Sequence, residues 1–162
     1  MSLAVASLLF GWDKNEHYAQ QLVADLTAEQ MVAMPVAGVN HPAWVLSHLC
    51  IYHPAIIKMC RGQPFDDPKD LPFGMMSAPV ADVSVYDAKD ALLERYIAGH
   101  HAVKATLETL GDEVFKVAQA LKRWQKPMPT AGLALGYLLQ SHESTHLGQL
   151  SAWRRFQGLP SV

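Results

Sequence analysis

The stretch QSHESTHLGQL, residues 140–150, places His142 and His146 four residues apart, with Glu143 directly after the first. On a helix a step of four turns the chain through about 400°, so both imidazoles leave one face a turn apart and can share a single divalent ion. The same string reads HExxH, the zinc-protease motif in which the glutamate acts as base. That chemistry needs a third ligand downstream, either another histidine in the metzincin pattern or a later glutamate. The segment after His146 is LGQLSAWRR, and no acidic residue follows Glu143. No segment reads as an edge strand for a peptide substrate either, so the protease reading is set aside.

A third ligand must then lie upstream. His48 falls at helical spacing with Trp44, Val45, Tyr52, Ala55, Ile56 and Met59, in the middle of an otherwise apolar face. One imidazole from this helix and an i, i+4 pair from another make a three-nitrogen site with an open position, the arrangement of a catalytic rather than a closed structural site. His53 is five residues on and should point away, and His41 should sit near a solvated mouth. Asn15 and Glu16, polar on an inward stripe of the first helix, join His100 and Glu143 as candidates for a catalytic base, a fourth ligand or a support for the ligands. Neutral core histidines hydrogen-bonded to their neighbours would suit the same spacing. Gly148 and Gln149 read as packing residues, and Arg154 and Arg155 as complements to a helix dipole.

The elements that must position these groups are helices. Apolar periodicity predicts helices over roughly 5–27, 41–61, 87–109 and 130–157, and no strand, so the chain reads as all-α. Asn40 is the expected N-cap of the second helix, with Pro42 in its first turn and Pro54 predicting a kink. Thr130 is the expected N-cap of the fourth, which Gly158 and Pro160 close. Between the second and third helices, GQPFDDPKDLPFGMMSAPVADVS shows no period and reads as a long crossover. Residues 111–129 form a second irregular stretch containing the Lys122, Arg123 and Lys126 group.

With 162 residues, 50% hydrophobic and 17% charged, the chain suits one soluble domain over 1–162. A net charge of -2 with scattered cations argues against nucleic acid. The apolar start SLAVASLLF is too short to span a bilayer and reads as the first turns of helix 1, which argues against a membrane. Cys50 and Cys60 lie about 15 Å apart on one predicted helix, beyond disulfide reach, so free thiols and a cytoplasmic location are expected. Apolar groups in FQGLPSV and DLPFGMMSAPV suggest an interface between copies.

HPAWVLSHL in the second helix, HESTHLGQLSAWRRFQGLPS at the C-terminus and WDKNEHYAQQL in the first helix resemble the DinB-like (YfiT-like) superfamily of metal-dependent enzymes. The most specific part is HxxxHxGQLxxxRRxxG, preceded by W-x3-H-L. The resemblance implies a four-helix bundle in up-down-down-up order, a zinc- or nickel-type site held by His48, His142 and His146, and a homodimer. Among such proteins are thiol-dependent S-transferases and isomerases acting on small molecules. The expectation is therefore an ion that acidifies a bound low-molecular-weight thiol or water, with thiol transfer favoured over hydrolysis. The alternative is a stress-related bundle that binds a metal or small ligand without turnover.

Overall fold

The computed structural model describes residues 1–162 and is helical, with one isolated bridge between Ala118 and Thr130 in place of any strand. Its four long segments are α1 (Leu3–Val23), α2 (Pro42–Cys60), α3 (Lys89–Leu110) and α4. Helix α4 starts as Ala131–Leu135, passes through a π-helical stretch, Gly136–His142, and finishes as Glu143–Phe156. Short turns occupy the connections, among them Lys122–Gln125 between α3 and α4. No helix is long and apolar enough to cross a membrane.

The ends of the helices follow capping chemistry, with one correction. Ser2 and Thr130 accept the backbone N–H groups of Val5 and Leu133, as first-turn caps do, and Gly158 takes the left-handed φ of 71° that ends α4. The cap of α2 is His41 rather than Asn40. Its Nδ1 accepts the Trp44 N–H at 3.2 Å while Nε2 lies 3.0 Å from the Val80 carbonyl, so His41 is buried between helix and crossover and not at a solvated mouth. The π-helical stretch was not expected from the sequence, since a single widened turn leaves the surrounding apolar period nearly intact.

Contacts between helices run in ordered pairs. Along α1 and α4, Leu8 meets Gln140, Asn15 meets Glu143 and Leu22 meets Arg154, so the two run parallel. Asp13 pairs with Lys104 while Leu26, just past α1, meets Lys89, so α3 runs against α1. Cys50 lies against Arg95, and His53 against Gly99 and His100, which sets α2 parallel to α3. Gly99 makes that approach possible: a Cβ there would stand 1.8 Å from His53 Nδ1.

The apolar core has two halves. One gathers Leu22, Leu46, Leu92, Leu150 and Trp153, and the other Trp12, Ile56, Leu107, Leu135 and Leu138. Where they meet, each long helix contributes polar residues: Asn15 and Glu16, His48 and His53, His100, and the His142–His146 segment.

Candidate metal centre

His142 and Glu143 are neighbours, but successive helical side chains diverge by about 100°. The two therefore join different clusters. His142, His146 and His48 bring one ring nitrogen each to within 4.8 Å of one another, and His48 Nε2 lies 3.2 Å from His142 Nε2. Glu143 turns the other way, into a fully buried group with His53 and His100.

Two of the three imidazoles in the first cluster are held by their outer nitrogens. His48 Nδ1 donates to the Phe73 carbonyl at 2.6 Å, and His146 Nδ1 to Gln149 Oε1 at 3.1 Å; each Nε2 is thereby left as a bare lone pair. Gln149 is itself oriented by Asn40, whose Nδ2 donates to the same oxygen at 3.0 Å. Gln149 thus orients His146, a role beyond the packing expected from sequence. Phe73, in the crossover, is the one non-glycine residue with positive φ, at 62°. Backbone in that region is costly for a residue with a Cβ and persists only where its surroundings enforce it. Here Phe73 stacks on Tyr86 at 5.3 Å, and Gly74 packs so closely on Pro68 and Lys69 that a Cβ would meet their carbonyl oxygens at 2.4 and 2.5 Å. The crossover also holds Trp44, whose Nε1 donates to Ser77 Oγ at 3.0 Å and whose ring stacks on His48 at 4.8 Å.

Burial dominates the protonation of this cluster. It lowers the His48 pKa and, with the neighbouring histidines adding to the effect, takes His142 to about 3 and His146 to about 4. Neutral imidazole is the form in which histidine coordinates, and two of the three rings already present an Nε2 lone pair, so the donor set fits a divalent ion. The cluster opens onto a cavity of about 310 Å³ walled by Trp44, Tyr52, Trp124 and Tyr137. A similar cavity of about 320 Å³ beside Met31 and Tyr86 offers no such donor set, because no histidine lines it, its Asp87 is paired with Arg95 and its Lys89 bonds the carbonyls of Ala24 and Leu26.

The second cluster is a hydrogen-bonded core. Glu143, 1% exposed, contacts Tyr96 Oη and His100 Nε2 at 2.6 Å each and accepts from Asn15 Nδ2 at 3.2 Å. Burial raises its carboxyl to about 8 against the pull of Tyr96 and Asn15, while burial lowers His100 to about 3. Burial thus works against the charged form of both the carboxyl and the imidazole. Trp12 covers His100 in a stack at 3.7 Å. His53, expected to point away, is buried here, with Nε2 unpartnered. Its place depends on Gly99, which the sequence pattern of α2 could not reveal. Glu16 stands at the edge, 3.8 Å from His100 and 3.6 Å from exposed His101.

A family model described as the DinB superfamily matches residues 12–150, which include all three histidines of the first cluster. The chain belongs to the DinB superfamily. No curated protein and no solved structure matches it. In this DinB-superfamily chain Arg154, read from sequence as a dipole complement, is buried. It donates to both oxygens of Asp25 at 2.6 and 2.9 Å and to the carbonyls of Leu22 and Pro160, tying the C-terminus to α1. Gly148 has open space where a Cβ would stand, so close helix packing does not explain it.

Proposed function

We propose that this chain is a metal-dependent enzyme in which His48, His142 and His146 hold one divalent ion, zinc or nickel, for thiol S-transfer to a small electrophile, with hydrolysis as the second chemistry. The observation that carries the reading is the convergence of three neutral imidazole nitrogens on the wall of an open cavity. A bound ion there would supply Lewis acidity to a thiol or water at its remaining position. The protein's own groups do the rest. Phe73 and Gln149 set the orientation of two rings, Trp44 shields His48, and the aromatic walls keep bulk water from the reacting end of a substrate. Tyr52, whose hydroxyl burial pushes up to about 12, remains a neutral donor beside the site.

Around this site the parallel pairs α1/α4 and α2/α3, run against each other, support a single up-down-down-up four-helix bundle. The exposed Met75, Met76 and Phe156 side chains support assembly as a homodimer. Free, buried Cys50 and Cys60 suit a cytoplasmic setting. The test is metal analysis, visible absorption of the cobalt-substituted protein, and a screen of electrophiles against low-molecular-weight thiols. Turnover that disappears on chelation and in His142→Ala supports the proposal. Full metal occupancy without turnover for any thiol or water would make the chain a binding protein instead.

A further inference from the structure

The cavity next to the three histidines has a charge problem that points to its ligand. None of the nine residues lining it carries a carboxylate. The three imidazoles are neutral, so a divalent ion held as proposed above would keep its full charge, and the single ionised side chain on the wall is another cation, Arg123. Asp67 compensates the Arg123 charge, so what the apoprotein's wall offers an anion is a directed guanidinium N–H, whose bonds the aromatic surroundings strengthen by partial desolvation.

Arg123 is built to receive it. Its Nε and Nη2 donate to the two oxygens of Asp67 at 2.7 and 2.6 Å, a two-pronged bond that fixes the guanidinium plane and leaves Nη1 without a protein partner. Asp67 is the deeper partner, its side chain 11% exposed against 36% for Arg123, so the carboxylate serves as the anchor and the guanidinium faces outward. Asp67 is in turn held by the Lys69 N–H at 3.0 Å, at the cap of the turn Pro68–Asp70. The guanidinium lies 5.4 Å from the Trp124 ring, which supports it from the neighbouring position.

We infer that Arg123 is the anion-recognition residue of the histidine cavity and that the substrate is a small carboxylate with an apolar or aromatic body. The carboxylate meets the free edge of the guanidinium, the body lies between Trp44, Tyr52, Trp124 and Tyr137, and the reactive end reaches the histidines. This rests on the metal-enzyme reading for the reactive end only; the recognition of the carboxylate by Arg123 stands on the apoprotein's own geometry.

The experiment measures binding of benzoate and of uncharged benzamide through quenching of tryptophan fluorescence, in apo and zinc-loaded protein, with inorganic phosphate as competitor. Zinc content is read on the same samples. Benzoate is expected to bind at least about tenfold more tightly than benzamide in both forms and to lose that preference in Arg123→Gln. The double variant Asp67→Asn with Arg123→Gln leaves no orphaned carboxylate, and is expected to lose the preference while melting near wild type and keeping its zinc. Equal binding of benzoate and benzamide by the wild type, or a preference that survives in either variant, would overturn the inference. Phosphate displacing benzoate at lower concentration than benzoate itself saturates would overturn the choice of a carboxylate. A protein that takes up no zinc yet shows the Arg123-dependent preference would sink the zinc reading of the site and leave this inference standing.

Discussion

At the scale of single residues, the adjacency of His142 and Glu143 is the central feature. One faces an open cavity and the other a closed core, so their replacement has different consequences. Alanine at His48, His142 or His146 is expected to abolish stoichiometric metal binding, since each removes one of three donors. His53→Ala and His100→Ala are expected to keep the metal but to lose about 1–3 kcal/mol of stability, because His100→Ala strips a partner from buried Glu143 and both open the packed core. Metal titration with thermal melts of the five variants checks this, and loss of metal in His53→Ala with retention in His48→Ala would reverse the assignment. Gln149→Ala is a subtler case. It leaves all three donors but frees His146 Nδ1, so affinity is expected to fall about 10- to 100-fold with unchanged stoichiometry at saturation. Competition against a chelator of known affinity measures it.

At the scale of elements, two helical glycines make opposite predictions. Gly99→Ala forces a Cβ into His53 at the α2/α3 contact and is expected to destabilise the fold by about 1–3 kcal/mol, the range for overpacking. Gly148→Ala meets nothing and is expected to stabilise α4 by about 0.5–1 kcal/mol through helix propensity alone. Chemical denaturation of both variants tests the pair. A destabilised Gly148→Ala would mean that this face of α4 is covered in the assembled protein. The crossover is likewise more than a connection, since Phe73 and Ser77 hold His48 and its covering Trp44.

At the scale of the whole molecule, the buried belt between the two halves of the core makes stability depend on pH in two directions. His142 and His146 have folded pKa values of about 3 and 4, below the 6.5 of an unperturbed histidine, so the unfolded chain takes up protons first as pH falls. Metal-free protein is therefore expected to lose stability progressively from about pH 6.5 towards 4, by at most about 1.4 kcal/mol per pH unit for each histidine. Glu143 acts in the opposite sense. Its folded value near 8 lies above the usual 4.5, so the folded chain holds the proton longer, and its contribution is full below 4.5 and lost as pH rises through 8. Melting curves of the apoprotein should peak between the two regimes, and Glu143→Gln should flatten the alkaline fall while leaving the acid one. An unchanged alkaline limb in Glu143→Gln would show that the carboxyl is ionised in the folded protein at neutral pH.

Several of these features were legible in the residues alone. The apolar period of 3.6 marked four long helices to within a few residues, because each has one buried stripe and the caps at Thr130 and Gly158 are local chemistry. The grouping of His48 with His142 and His146 followed from stripe position and from the resemblance carried by the W-x3-H-L and HxxxH motifs, and the fold brings those three rings together. What sequence could not supply were contacts made across helices. His53 sits in the core because Gly99 of another helix leaves room for it, Gln149 orients His146 because Asn40 orients Gln149, and Glu143 is held by groups from α1 and α3. A helical period records which side of a helix avoids water, but not which partner waits on that side. The bond from His48 to the Phe73 carbonyl and the Arg123–Asp67 pair on the cavity wall likewise join segments distant in the chain, and only their packing in three dimensions decides them.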